Sequence, residues 1–131
     1  MLKIGDKYEI NAIVKSEYLA SSMKSGCLEV FATPMVIAFM EEASLELAQK
    51  GLPEGITTVG TMVNVEHLSP TPLGAEVRFV STLTKIEDDR FYHFDVEAYD
   101  RLGLIAKGTH TRASVKSERF QAKADSKFDE V

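Results

Sequence analysis

Apolar and polar residues change rhythm several times along this chain, and each rhythm predicts an element. Tyr8-Glu9-Ile10-Asn11-Ala12-Ile13-Val14 alternates imperfectly and is rich in β-formers, which predicts a first strand. No period holds from Lys15 to Val30. Ser21-Ser22-Met23-Lys24-Ser25-Gly26 carries loop chemistry there, so an irregular segment able to cover a site is expected. Thr33-Pro34 then opens the clearest element: threonine is a favoured N-cap, and proline at the first helical position loses no needed hydrogen bond. The helix should run to about Lys50, with Gly51 as a left-handed residue after it and Pro53 blocking continuation. On a helical wheel Glu42, Glu46, Gln49 and Lys50 form a polar sector. Val36, Ile37, Ala38, Met40, Ala43, Leu45, Leu47 and Ala48 fill most of the remaining arc, the pattern of a helix gripped by a sheet.

After Gly55 the period becomes two. Strands are expected at about Ile56 to His67, Ala75 to Ile86, Phe91 to Tyr99 and Leu104 to Ser117. Pro70-Thr71-Pro72-Leu73-Gly74, Glu87-Asp88-Asp89 and Asp100-Arg101-Leu102-Gly103 supply the turns, which reads as a four-strand antiparallel meander. One strand, a long helix and then these four strands make an α+β architecture in which the sheet curls around the helix. Such a sheet leaves long edge strands, so pairing with a second copy into a homodimer is the expected protection. The residues after Arg119 are polar, and the last ten or so should fray.

Composition narrows the function classes. At 131 residues the chain suits one domain, and its 44% hydrophobic and 27% charged residues are ordinary for a globular protein. A net charge of −5 with scattered basic residues argues against a nucleic-acid partner. Cys27 is the only cysteine, which excludes an intrachain disulfide and a cysteine-rich metal site. The charged start lacks the apolar core of a signal peptide, and Met35 to Met40, the longest apolar run, is far short of a membrane span. A cytoplasmic protein without membrane association is expected.

Several residues break the pattern around them. Glu41 falls on the apolar arc of the helix, where a carboxylate loses hydration unless partners compensate; the bland alternative is a rim position reached by a flexible stem. By alternation His67 shares a face with Val59, Thr61, Val63 and Val65. It is placed either to satisfy a local backbone group or to pass a proton near neutrality. Thr33 has a sufficient task as N-cap, but a hydroxyl at a helix N-terminus also sits where developing negative charge is favoured. Thr33 and Glu41 are eight residues apart on one helix, roughly 12 Å, so acting at one centre would require a second subunit. Gly108, His110 and Arg112 share one face of the last strand, where the arginine can pair with a phosphate or carboxylate of a substrate, or equally form a structural salt bridge. His93 reads as solvated and Cys27 as inert, and three dispersed histidines make a poor metal set. No phosphate loop, Gly-x-Ser-x-Gly elbow or Cys-x-x-Cys pair occurs.

Four longer stretches carry more information than their residue types. Val30-Phe31-Ala32-Thr33-Pro34-Met35-Val36-Ile37-Ala38-Phe39-Met40-Glu41, Gly60-Thr61-Met62-Val63-Asn64-Val65-Glu66-His67, Thr71-Pro72-Leu73-Gly74 and Lys107-Gly108-Thr109-His110-Thr111-Arg112 together resemble the fluoroacetyl-CoA thioesterase family of hot-dog proteins. The resemblance implies a hot-dog fold and hydrolysis of a small acyl-CoA thioester without metal or redox cofactor. It maps the family's catalytic threonine, glutamate and histidine onto Thr33, Glu41 and His67, and its substrate-site glycine onto Gly60. Two departures stand out. Lys24 and Cys27 occupy positions where the fluoroacetyl-specific member is similar in having gating aromatics, so selectivity for fluorinated acyl groups is not implied. Pro34 replaces a glycine, stiffening the helix start while leaving the Thr33 hydroxyl in place. The alternatives are a hot-dog hydratase or dehydratase acting on enoyl or 3-hydroxyacyl thioesters, a non-catalytic acyl-CoA binding module, and a structural dimer without a ligand.

Overall fold

The computed structural model describes residues 1–129. In chain order it contains β1 (Lys7–Ile13), a 3₁₀ turn (Ser16–Tyr18), α1 (Ala20–Met23), α2 (Thr33–Gln49), β2 (Ile56–His67), β3 (Glu76–Glu87), β4 (Phe91–Asp100), β5 (Gly103–Lys116) and α3 (Ser117–Asp125). The five strands form one open antiparallel sheet in the order β1-β3-β4-β5-β2, against which α2 packs: the α+β hot-dog arrangement.

The strands lie where alternation predicts them, but the pairing is not a four-strand meander. Only β3, β4 and β5 follow one another; β2 lies beyond β5 and β1 beyond β3. The cause is the Pro70-Thr71-Pro72 connection, which crosses the end of the sheet instead of reversing in place. Leu68 and Ser69 donate to the Ile105 carbonyl, Phe31 donates to Thr71, and Gly74 donates to Val14, so this link ties both sides of the sheet to the start of α2. The true hairpins are tighter. Asp88 and Asp89 both take left-handed φ at the β3–β4 turn, the conformation that matches strand twist.

Helix α2 buries Val36, Met40, Ala43, Ser44, Leu47 and Ala48 against Phe79, Leu83, Phe94, Val96 and Ile105 of the sheet. Ser44 donates to the Met40 carbonyl and shares a 2.8 Å hydrogen bond with Ser81 of β3, so the fully buried hydroxyl pair is satisfied. The apolar arc is only partly covered, however. Ile37, Ala38, Glu41 and Leu45 stay half-buried, forming a stripe one chain leaves open.

Both helix ends differ from expectation. Ala32, buried and extended, is the N-cap, and Thr33 is already helical with no capping hydrogen bond. Gly51 does not take positive φ; its missing side chain instead makes room for Leu2, whose Cβ lies 3.0 Å from where a Gly51 Cβ would sit. The segment from Lys15 to Val30 is more regular than its composition implies. Leu19 bridges to Phe31, Ala20 and Ser21 donate to Val30 and Leu28, and the Tyr18 ring meets Phe39 edge-on. Lys24 and Cys27 lie exposed at its tip. Ser117–Asp125 form α3, none of whose residues is buried; Glu130 and Val131 lie outside the described residues.

Candidate active site

The release of Thr33 from capping has a direct consequence. Its hydroxyl is free to hydrogen-bond His67 Nδ1 at 2.7 Å, joining the first turn of α2 to the last residue of β2. The His67 Nε2 is buried and has no partner among the described residues. Burial disfavours the imidazolium and pushes the His67 pKa below the ordinary 6.5, with the Ser69 backbone opposing. A neutral imidazole held against a hydroxyl is an arrangement that can accept a proton.

Glu41 lies elsewhere. Within one chain its Oε2 is 3.0 Å from where a Cβ on Gly60 would be, and it makes no hydrogen bond with His67. Around the same glycine, His110 Cε1 is 3.2 Å and Arg112 Nη1 3.6 Å from that point, so any side chain at position 60 would fill a gap these three groups surround. Arg112 is buried without an ion pair among the described residues. Its Nε donates to Thr58 Oγ1 at 2.7 Å, Nη2 to the Thr58 carbonyl at 2.8 Å and Nη1 to His110 Nε2 at 3.2 Å. Burial lowers the Arg112 pKa, with the Glu41 carboxylate opposing.

A β-bulge between Gly60 and Met62 makes this grouping possible. Residues 60 and 67 differ by an odd number, so an unbroken strand would turn them to opposite faces. Register against β5 pairs Thr58 with Ser114 and Gly60 with Arg112, then Val63 with His110, Val65 with Gly108 and His67 with Ala106. Gly60, Val63, Val65 and His67 therefore share the helix side of the sheet, whereas the sequence pattern had grouped His67 with Val59 and Thr61. Gly108 is needed where the strands cross: a Cβ there would collide with the Asn64 carbonyl oxygen and lie 2.7 Å from Val65 Cα.

Thr33 and His67 are thus brought together, Gly60, Glu41 and Arg112 are brought together, and the two groups are separated along α2. Thr58 and the partner-rich role of His110 were not visible in the sequence, where Thr58 is one β-former among several. The odd spacing of Gly60 and His67 was the signal for the bulge. His93 is not simply solvated: it contacts Glu87 at 3.0 Å and Thr111 at 3.3 Å. Among the described residues no cluster of acidic, histidine or cysteine side chains is arranged to hold a metal ion, and no helix is long and apolar enough to cross a membrane.

Comparison with known proteins agrees with this architecture. Residues 14–118 match the family described as fluoroacetyl-CoA-specific thioesterase. The chain is 35% identical over 99 residues to the fluoroacetyl-CoA thioesterase of Streptantibioticus cattleyicolor, covering 76% of this chain and 70% of that protein. It superposes on the crystal structure of the fluoroacetyl-CoA thioesterase FlK with a TM-score of 0.91 at 28% identity, covering 97% of this chain and 98% of that one. A thioesterase-superfamily protein of Thermus thermophilus aligns with a TM-score of 0.85 at 27% identity over 93% of this chain and 90% of the other.

Proposed function

This chain belongs to the fluoroacetyl-CoA-specific thioesterase family and is an acyl-CoA thioesterase; from that premise we propose that it hydrolyses a small acyl-CoA in the cytoplasm, as a homodimer, using Thr33, Glu41 and His67. The observation that carries the reading is the 2.7 Å contact between the Thr33 hydroxyl and the His67 imidazole at the start of α2. The Thr33 hydroxyl either attacks the acyl carbon or holds the water that does, and His67 takes the proton released. The carbonyl oxygen becomes an oxyanion, stabilised by the Gly60 amide and the N-terminus of α2. As the tetrahedral intermediate collapses, the carbon–sulfur bond breaks and His67 returns the proton to the thiolate, releasing CoA. Water attack gives the free acid directly, whereas attack by Thr33 leaves an acyl ester on its oxygen that a water deprotonated by His67 then hydrolyses, freeing the acid and restoring the hydroxyl. Arg112 and Gly60 line the acyl pocket. None of these steps needs a metal or redox group.

Two features support a second copy as part of the site. Glu41 and Gly60 lie along α2 from Thr33 and His67, roughly 12 Å by helical rise from Thr33 to Glu41. The open stripe of α2 adjoins an edge strand whose Met62 and Val63 are 44% and 41% exposed. A second copy pairing there would set its Glu41 and Gly60 opposite the first copy's Thr33 and His67, so that Glu41 balances the imidazolium as it forms. The test is release of free CoA thiol from short, branched, aromatic and long acyl-CoAs, comparing wild type with His67→Ala. Hydrolysis of one class that collapses in the variant supports the reading. Silence across the panel from a folded dimer overturns it.

A further inference from the structure

His110 is 1% exposed, lies on the helix side of β5 and is called on by no step of the hydrolysis. The Phe94 ring of β4 leans on it at a centroid distance of 6.1 Å. Both ring nitrogens are committed. The Met62 carbonyl only accepts, so Nδ1 carries the proton and donates to it at 2.7 Å. The Arg112 guanidinium only donates, so Nε2 is unprotonated and accepts from Nη1 at 3.2 Å. One neutral tautomer satisfies both partners. A protonated ring would lose the Arg112 contact and set a second cation against the guanidinium.

The positions of these partners give the arrangement a purpose. Arg112 is fixed to Thr58, ahead of the bulge in β2, while His110 is fixed to Met62, behind it. The pair therefore straddles Gly60, and the imidazole Cε1 closes one side of the gap over that glycine. The geometry points to His110 as a positioning residue: a permanently neutral clasp that, through Met62 and Arg112, holds the Gly60 bulge and the groups around it in place for thioester hydrolysis. This rests on the function proposed above. The charged groups facing His110 are Arg112 on β5 and Glu41 on α2; burial and Arg112 lower its pKa, while the Met62 carbonyl and Glu41 oppose.

Two measurements test the clasp. Nitrogen-15 NMR of the whole protein should show His110 as the Nδ1–H tautomer, unprotonated through the range around pH 6.5 where an ordinary imidazole titrates. An Nε2–H tautomer, or ordinary titration, overturns the proposal whether or not any thioester is hydrolysed. With an acyl-CoA that wild type cleaves, His110→Leu should lose roughly 10²-fold in kcat with little change in KM. His110→Gln, which keeps a donor and an acceptor, should recover most of that loss and leave the acid limb of kcat/KM unmoved. The Gln variant carries the test if the Leu variant does not fold. Wild-type kcat in a folded Leu variant, or a Gln variant as inactive as His67→Ala with a displaced acid limb, refutes the clasp. If wild type cleaves no acyl-CoA, the thioesterase reading fails on its own, and the tautomer still decides whether the clasp exists.

Discussion

Burial sets the working range of His67 as well as its place. Its pKa lies below the ordinary 6.5, so the neutral, proton-accepting form persists into mildly acidic solution. Glu41 of a second copy, set against the imidazolium in the proposed dimer, works in the opposite direction, so Glu41→Gln should move the acid limb of kcat/KM downward, and an unmoved limb would contradict the pairing of Glu41 with His67. Stability follows the same sign. His67 and His110 both have lowered pKa values in the fold, so the unfolded chain binds more protons as pH falls through 6.5, and stability declines from there downward. Melting temperatures followed from about pH 7 to 5 should fall less steeply for His110→Gln than for wild type, and parallel curves would remove His110 from the linkage. Thr33→Val keeps the helix start, because Thr33 caps nothing, yet removes the hydroxyl from His67. Turnover should drop by at least tenfold with the melting temperature nearly unchanged. A helix that melts earlier would instead reveal a capping role.

Between elements, the contacts that matter most are those where backbones or hydroxyls approach closely. Ser44 and Ser81 join α2 to β3 where no water reaches. Ser44→Ala should cost about 1–3 kcal/mol by leaving the Ser81 hydroxyl unpaired, and the double alanine variant should cost less than the two single changes added. Additive losses in denaturant unfolding would show that the hydroxyls act separately. Gly108→Ala should be more damaging than an alanine on an exposed strand position, because the new methyl meets the Asn64 carbonyl and β2 must move off β5. Loss of hydrolysis alongside stability is expected, since the same β2 carries Gly60 and His67. The strands themselves were legible because alternation is local. Their neighbours were not, because pairing β2 with β5 instead of β3 depends on how the Pro70-Thr71-Pro72 link is tied across the sheet end.

For the whole molecule, the proposed homodimer is the largest consequence. Val63→Glu places a charge on the open edge strand without touching the core cluster. It should yield a folded monomer by light scattering that releases no CoA thiol, because the proposed mechanism draws Thr33 and His67 from one copy and Glu41 from the other. A fully active monomer would show that one chain suffices.

The sequence by itself determined the number, type and near boundaries of the main elements, the absence of a phosphate loop or cysteine centre, and the choice of Thr33, Glu41, Gly60 and His67 as candidates for the site. Those features are written in local periods, in residue chemistry and in four separated words shared with one family. Only the tertiary structure decided that Ala32 rather than Thr33 caps α2, and that a bulge brings Gly60 and His67 to one face. It alone decided that Glu41 sits with His110 and Arg112 instead of His67. Each of those outcomes depends on contacts between residues far apart in the chain, and a periodic pattern contains no term for them.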